Sequence, residues 1–249
     1  MAKTALIDSD IVAWRASILA ESEDLKDVMD LVKRIHYSWT DMAGCDGYVS
    51  CLSHGTPIRR AYWPDYKMNR KDRPKPRHLF GTLNEIKATD NSAYHDKWEA
   101  DDVLGFLCTH PKAVDIVLVT IDKDLDQIPC IHCNPDKELI YSVSDDDADM
   151  YRWMQVLSGD STDGYPGIPG VGRTKARRFL EDVSPGDREA TVREIYKSKD
   201  MTEDHLTRMI ACATIVRYSK EIECELLSPD STAASTLPSF LRSLMQSDG

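Results

Sequence analysis

The sequence predicts an α/β fold: a mostly parallel central sheet flanked by helices, followed by a C-terminal helical subdomain built around a hairpin. Three observations predict it. Strand-like apolar runs alternate with helical periodicities through the first 157 residues. The clearest run, Asp-Ile-Val-Leu-Val-Thr-Ile at 115–121, is almost continuously apolar, as strands covered on both faces are. Beyond Ser158, glycine and proline crowd into 164–172 and only helical spacing follows.

In chain order, residues 4–8 read as a short buried strand ending at Asp8. Residues 24–43 are amphipathic at helical spacing, with Leu25, Val28, Leu31, Val32, Ile35 and Trp39 on one side. A second strand is expected over 48–52. The segment 59–77 contains Pro64, Pro74 and Pro76, so its ends are not regular helix. Short helices are expected at 79–88 and 100–109, the latter stopped before Pro111. Further strands are expected at 129–133 and 138–143. A helix at 145–157 has an acidic first turn that suits its dipole. Helices are then expected at 187–198 and 202–222. The resulting division is an α/β domain over 1–157 with a basic clamp at 59–90, a helical subdomain over 158–225, and a Ser/Thr-rich tail over 226–249 expected to be partly disordered.

The chain has 249 residues, 41% of them hydrophobic, and no apolar run approaches the roughly 18–20 residues a membrane span requires. A strand starts within a few residues of Met1, so no signal peptide is expected and the expected compartment is the cytoplasm. Seven cysteines without framework spacing argue against a secreted disulfide fold. Cys130 and Cys133 have Cys-x-x-Cys spacing, but no second ligand pair stands nearby, so buried thiols are expected rather than zinc. The seven histidines are dispersed, and nothing resembles a nucleophile with its base.

Nine carboxylates fall into four tight groups: Asp8 with Asp10, Glu99 with Asp101 and Asp102, Asp122 with Asp124, and Asp160 with Asp163. Asp8 and Asp122 each close a strand, and parallel sheets bind ligands outside the carboxyl ends of their strands. Glu99 and Asp102 share a helix face, whereas Asp101 points about a quarter-turn away and is expected to act through water. Carboxylates gathered at one edge repel each other unless cations sit between them. Mg²⁺ accepts such oxygens together with substrate phosphates. Asp122-Lys123-Asp124 opens like a calcium loop, but Gln127 and Cys133 stand where Gly and Glu are required, so that reading is rejected.

Net charge is −11, which by itself disfavours nucleic acid, but the basic residues cluster. Arg59, Arg60, Lys67, Arg70, Lys71, Arg73, Lys75 and Arg77 are opposed only by Asp65 and Asp72. Within this run Tyr66 can stack on an unpaired base while Lys67 and Arg70 hold phosphate. Gly167, Gly170 and Gly172, with two prolines, precede Arg173, Lys175, Arg177 and Arg178. That is the hairpin of a helix–hairpin–helix, whose backbone approaches phosphates without reading sequence.

Four segments in this order resemble the flap endonuclease / 5′→3′ exonuclease superfamily, the phage 5′→3′ exonucleases above all. They are Leu6–Asp10, Tyr66–Arg70, Glu99–Asp102 with Thr120–Asp124, and Gly159–Gly164 running into the hairpin. The resemblance covers roughly residues 4–220 and implies a PIN-like nuclease fold. It implies that Asp8, Glu99, Asp101, Asp102, Asp122, Asp124, Asp160 and Asp163 hold two Mg²⁺ or Mn²⁺ ions, with Asp10 as a further candidate. Lys67 and Arg70 then act on the phosphate. Tyr66, Lys71, the hairpin, Arg173 and Lys175 hold DNA, and hairpin carbonyls can hold K⁺.

The implied activity is 5′→3′ hydrolysis of DNA from duplex ends, with removal of RNA primers and resection of duplex DNA in phage replication. RNA–DNA hybrids, flaps and replication proteins are the implied partners, and the host cytoplasm is the implied location. A structure-selective flap endonuclease, or an end-binding protein with weakened chemistry, is the alternative. One position departs from the family: Ser53 stands where an Asp is usual, and Asp10 is the candidate to compensate. The short segment between Arg70 and Glu99 also leaves little length for a threading arch.

Overall fold

A computed structural model describes residues 2–227; the tail expected to be disordered lies outside the described residues except for 226–227. The elements in chain order are β1 (Thr4–Asp8), α1 (Ser9–Leu19), α2 (Leu25–Met42), β2 (Gly47–Ser53), α3 (Arg59–Tyr62), α4 (Leu79–Lys87), β3 (Ser92–His95), α5 (Ala100–Cys108), β4 (Ile116–Val119), β5 (Ile131–Asn134), β6 (Leu139–Ser142), α6 (Asp145–Ser158), α7 (Arg173–Leu180), α8 (Arg188–Ser198), α9 (Glu203–Ala213) and α10 (Lys220–Leu227).

The chain divides into two compact units, neither continuous in sequence. Among the described residues the first comprises 2–57, 74–142 and 216–227; the second comprises 58–73 and 143–215. These units do not follow the single boundary expected at 157, and the basic segment is shared between them. The physical reason lies in side chains that the linear pattern does not rank. Arg59 is buried, and its guanidinium donates to the carbonyls of Cys212 and Thr214, which draws α3 into the second unit. Trp153, Val156 and Leu157 of α6 belong to the same core as Tyr66, Ile168 and Met209.

In the first unit six strands lie in the order β3-β2-β1-β4-β5-β6, all parallel except β6, which runs antiparallel to β5. The chain winds outward from β1 in both directions, so the strand order reverses between β1 and β4. That is where doubly wound sheets place their ligands. Alternate residues divide between the two faces. Ala5, Ile7, Val117, Val119 and Cys133 join one core with Val12 and Ala16 of α1, Val28 and Val32 of α2, and Leu79 of α4. Helix α5, with Leu104, Phe106 and Leu107 buried, covers β1, β2 and β4.

Two elements carry no clear periodicity in sequence. In α1 the buried Val12, Ala13 and Ala16 are matched by exposed Trp14, Ile18 and Leu19, so the helix is apolar all round. Strand β3 is a four-residue edge strand. The helix expected over 202–222 breaks at 214–219, because the chain there is held by distant groups. The Val216 N–H donates to Asp102 and the Tyr218 N–H to the Thr109 hydroxyl.

Candidate metal centre and nucleic-acid interface

The acid cluster grows from the carboxyl ends of the central strands. Asp8 ends β1, level with Cys51 of β2, and α1 starts immediately after it. Thr120 follows β4, and its hydroxyl donates to Asp8 at 3.2 Å. The same oxygen accepts the Asp122 N–H at 3.0 Å, so one threonine ties two of the acids to the sheet edge. Asp122 in turn accepts the Asp124 N–H at 2.9 Å and caps the short 3₁₀ turn Lys123–Gln127. Sequence reasoning missed Thr120; its place two residues before Asp122, at the end of the most apolar strand, was the available signal.

Asp8 is 4% exposed, and burial, then Asp10, then Asp122 push its carboxyl up to about 8. Two like charges beside a buried carboxylate oppose its ionisation; a cation among them favours it. Among the described residues no group of three or more His, Cys, Asp or Glu side chains is placed, as it stands, to hold a metal ion. A cage is not what Mg²⁺ requires, since it keeps several waters and uses one or two carboxylates. The donor set of Asp8, Asp10 and Asp122 is all oxygen and is electrostatically strained. It fits a hard, partly hydrated divalent ion.

At the end of β2 the Ser53 hydroxyl accepts the Ala100 N–H at 2.9 Å, which serves the first turn of α5. The Ser53 N–H donates to both oxygens of Asp10 at 3.2 Å. The acid standing beside the end of β2 thus comes from α1. Lys87 of α4 is also drawn toward Asp10 electrostatically and lies 3.2 Å from His54 Nδ1.

Asp102 is tied to the backbone on both sides. It is fully buried, one oxygen accepts the Glu99 N–H at 3.2 Å and the other accepts the Val216 N–H at 3.0 Å. These two bonds hold the start of α5 and the returning chain, and each oxygen keeps a second lone pair. Asp101, given the lesser role from its helical angle, is the more exposed of the two. Glu99, at the N-cap of α5, is buried.

Asp160 and Asp163 belong to the second unit. There the two motifs of the sequence, Tyr66–Arg70 and Gly159–Gly164, grip each other. The Tyr66 hydroxyl and the Arg70 guanidinium donate to Asp163 at 3.0 and 2.5 Å, and Lys67 Nζ lies 3.7 Å from it. Asn69 donates to the carbonyls of Ser161 and Thr162, and Arg70 Nε to Thr162. Asp160 Oδ1 accepts the N–H groups of Thr162 and Asp163, and its other oxygen lies 3.7 Å from Arg173. Tyr66 is a correction: it is 2% exposed in the core of this unit, so its ring is not available to stack on a base.

The hairpin glycines differ in kind. A Cβ on Gly167 would lie 2.3 Å from the Gly159 nitrogen and 2.4 Å from the Leu157 carbonyl oxygen, so Gly167 is a packing residue and not an approach surface. Gly170, at φ +74°, and Gly172 meet nothing within 4 Å and are exposed. Gly172 caps α7 without a side chain, which leaves the N-terminal N–H groups of that helix to outside partners. A cavity of about 580 Å³ opens here, lined by Trp63, Tyr165, Ile168, Gly170 and Gly172 among others. Lys71, Lys175, Arg177 and Arg178 are exposed, while Arg173 stacks on Tyr151 and donates to its hydroxyl.

A doubly wound sheet with acids at its carboxyl edge, joined to a helical unit with a glycine hairpin, is the fold of the 5′→3′ exonucleases and flap endonucleases. The flap endonuclease of bacteriophage T5, solved in a complex with DNA and metal ions, superposes with a TM-score of 0.64 at 16% identity, covering 85% of this chain and 88% of that one. In sequence the chain is related to the exodeoxyribonuclease of Enterobacteria phage T3, 35% identical over 127 residues, 48% of this chain and 41% of that protein. It is also related to the flap endonuclease Xni of Shewanella oneidensis, 27% identical over 180 residues, 66% of this chain and 69% of that protein. The chain thus matches less than half the length of the phage relative. No family model matches it. No helix among the described residues is long and apolar enough to cross a membrane.

Proposed function

We propose that this chain is a metal-dependent 5′→3′ exodeoxyribonuclease that hydrolyses phosphodiesters from DNA 5′ ends. The observation that carries the proposal is Asp8, buried at the strand-order reversal with Asp10 and Asp122 raising its pKa. Repulsion on a buried carboxylate is costly for folding, and a cation-binding role accounts for its presence. Asp8, Asp10 and Asp122 would hold divalent ions, with Glu99, Asp101 and Asp124 as further ligands. Bound Mg²⁺ or Mn²⁺ would supply Lewis acidity and a water of lowered pKa for in-line attack.

The chain's own residues do the rest. Thr120 fixes Asp8 and Asp122, and the Ser53 N–H fixes Asp10. Lys67 and Arg70, now paired with Asp163, present cations that a phosphate can share. The exposed glycines of the hairpin, the N-terminus of α7 and Lys175 hold the duplex backbone, and hairpin carbonyls offer oxygens to K⁺. Asp160 and Asp163 would serve a second ion only if Arg70 and Lys67 moved to the DNA.

A structure-selective flap endonuclease is the second reading, favoured by the match to two thirds of this chain in the S. oneidensis relative. RNA–DNA hybrids and replication proteins are further proposed partners. The test is digestion of 5′-labelled blunt, nicked, flapped and RNA-primed duplexes with Mg²⁺. Asp122→Ala protein cleaving at the wild-type rate would overturn the site; a strong preference for the flap would favour the second reading.

A further inference from the structure

Helix α4 buries one face and leaves the other to solvent. Leu79 and Ile86 join the core with α1 and α2, and the Thr82 hydroxyl lies 3.3 Å from that of Ser17 in α1. The opposite face carries Phe80, Asn84 and Lys87, spaced i, i+4 and i+7, so the three form one row along the helix. Glu85, the only acid of α4, stands about 140° round the helix from Phe80 and lies outside the row. These residues and Asp10 all belong to the first unit.

Each end of the row carries a cation. At one end Phe80 is 60% exposed although the Lys75 ammonium stands 4.8 Å from its ring centre. A lone exposed apolar residue is ordinary on a protein surface, but the surroundings of this ring present it. Pro74 and Pro76 restrict the backbone on either side of Lys75. The Pro76 carbonyl accepts the Leu79 N–H at 3.1 Å, which ties that segment to the first residue of the helix.

At the other end Lys87 Nζ lies 3.2 Å from His54 Nδ1, and His54 Nε2 lies 3.5 Å from Asp96 Oδ1. The lysine donates to one ring nitrogen, and the other ring nitrogen then carries the proton toward Asp96. His54 directly follows Ser53, whose N–H holds Asp10. Gly55, at φ +68°, sits so close to the Asp96 carbonyl that a Cβ would stand 2.0 Å from its oxygen, so this loop has little room to move. Lys87 is thus fixed where the row meets the acids. A neutral imidazole takes one of the three N–H groups of an ammonium, and the others suit an anion.

We propose that the outer face of α4 is a track for unpaired DNA, on which a strand leaving the acid site places a phosphate on Lys87 and a base on the ring of Phe80, with Lys75 at the phosphate beyond. This rests on the reading of the acids as a phosphodiester-cleaving site. The chemistry at each point selects the ligand: an aromatic ring beside a cation binds a base and its phosphate together without regard to sequence. The separation selects the length. Seven residues of helix rise about 10 Å, and stacked nucleotides repeat every ~3.4 Å along a strand, so Phe80 meets about the third unpaired nucleotide counted from Lys87. Asn84, exposed between them, offers a donor and an acceptor to the bases that pass over it. Paired bases are already stacked on their neighbours, so a duplex gains nothing from the ring. The track also supplies the aromatic platform that Tyr66, in the core of the second unit, does not.

The experiment measures binding of the full chain, in EDTA, to a duplex that carries an unpaired 5′ tail of none to six nucleotides and a fluorophore at its far end. Affinity should rise until the tail reaches about three nucleotides, by about tenfold in all, and then level off. Phe80→Ala should remove most of that gain and leave binding of the blunt duplex as it was; Phe80→Tyr should retain it. An abasic third nucleotide should reproduce the effect of Phe80→Ala in the wild-type chain, whereas an abasic sixth nucleotide should have none. Lys87→Gln should remove the gain from the first unpaired nucleotide, and Lys87→Arg should restore it. A merely structural role for Phe80 would weaken blunt and tailed duplexes alike and would not depend on which base was missing. A tail that adds no affinity, or a gain that survives both Phe80→Ala and the abasic substitution, would overturn the proposal. The assay needs no cleavage, so its failure is distinct from failure of the proposed function, which the Mg²⁺ digestion reads.

Discussion

Asp8 is the residue on which the stability and the proposed chemistry of this protein pull in opposite directions. Its carboxyl, raised from 3.8 to about 8, keeps a proton in the native state that the unfolded chain releases. The native state therefore binds more protons, and its stability without metal falls as pH climbs between those two values. Divalent ions bind the ionised form, so Mg²⁺ should raise the melting temperature more at pH 8 than at pH 5, and EDTA should reverse the gain. Scanning calorimetry at the two pH values checks this; an equal Mg²⁺ effect at both would count against metal binding at Asp8. Asp8→Asn should stabilise the metal-free protein at pH 8 by about 1–3 kcal/mol, because it removes a buried charge. The same variant should lower cleavage of a 5′-labelled duplex by about 10³-fold or more, by analogy with the loss of other transition-state electrostatic contacts.

At the scale of elements, the second unit depends on a few close backbone approaches. Gly159, at φ +65°, lies so near Gly167 that a Cβ there would stand 2.1 Å from the Gly167 nitrogen. Gly159→Ala and Gly167→Ala should each cost more than about 2 kcal/mol, since backbone, not a flexible side chain, must move. Gly172→Ala meets open space and should leave thermal stability within about 1 kcal/mol. If Gly172→Ala also weakens binding to a duplex, the N-terminus of α7 touches DNA; unchanged binding would remove that part of the proposal. The strands and most helices were legible because their cores follow simple periodicities, as in Val28 and Val32 of α2 or Val117 and Val119 of β4. Helix α1 was not, because its exposed Trp14, Ile18 and Leu19 erase the contrast between faces. They border a groove of about 440 Å³ that reaches Asp10.

At the scale of the whole molecule, neither unit is a continuous stretch of chain, and buried polar anchors decide the division. Arg59 should be one of them. Arg59→Ala leaves the Cys212 and Thr214 carbonyls without their donor and should destabilise the second unit by about 2–4 kcal/mol, read as a loss of amide-exchange protection in α3 and α9. The returning chain anchors the first unit similarly: Val216 bonds Asp102, Tyr218 bonds Thr109, and Glu223 bonds His110. Truncation after residue 215 should therefore lower protection in α5, far away in sequence; unchanged protection there would refute the anchoring role.

The sequence by itself determined the fold class, the strands that end in Asp8 and before Asp122, and the hairpin ahead of α7, because period, apolar runs and glycine spacing are local properties. It also determined that acids and bases occur in the numbers a phosphate-handling site needs. Only tertiary structure decided which of them are occupied elsewhere. Asp102 accepts two backbone N–H groups, Tyr66 lies in a core, and Asp163 holds Arg70. It also decided that Asp10 stands beside the end of β2, where Ser53 caps a helix instead. A carboxylate's partners come from residues dozens of positions away, and no linear pattern records which oxygens those partners leave free.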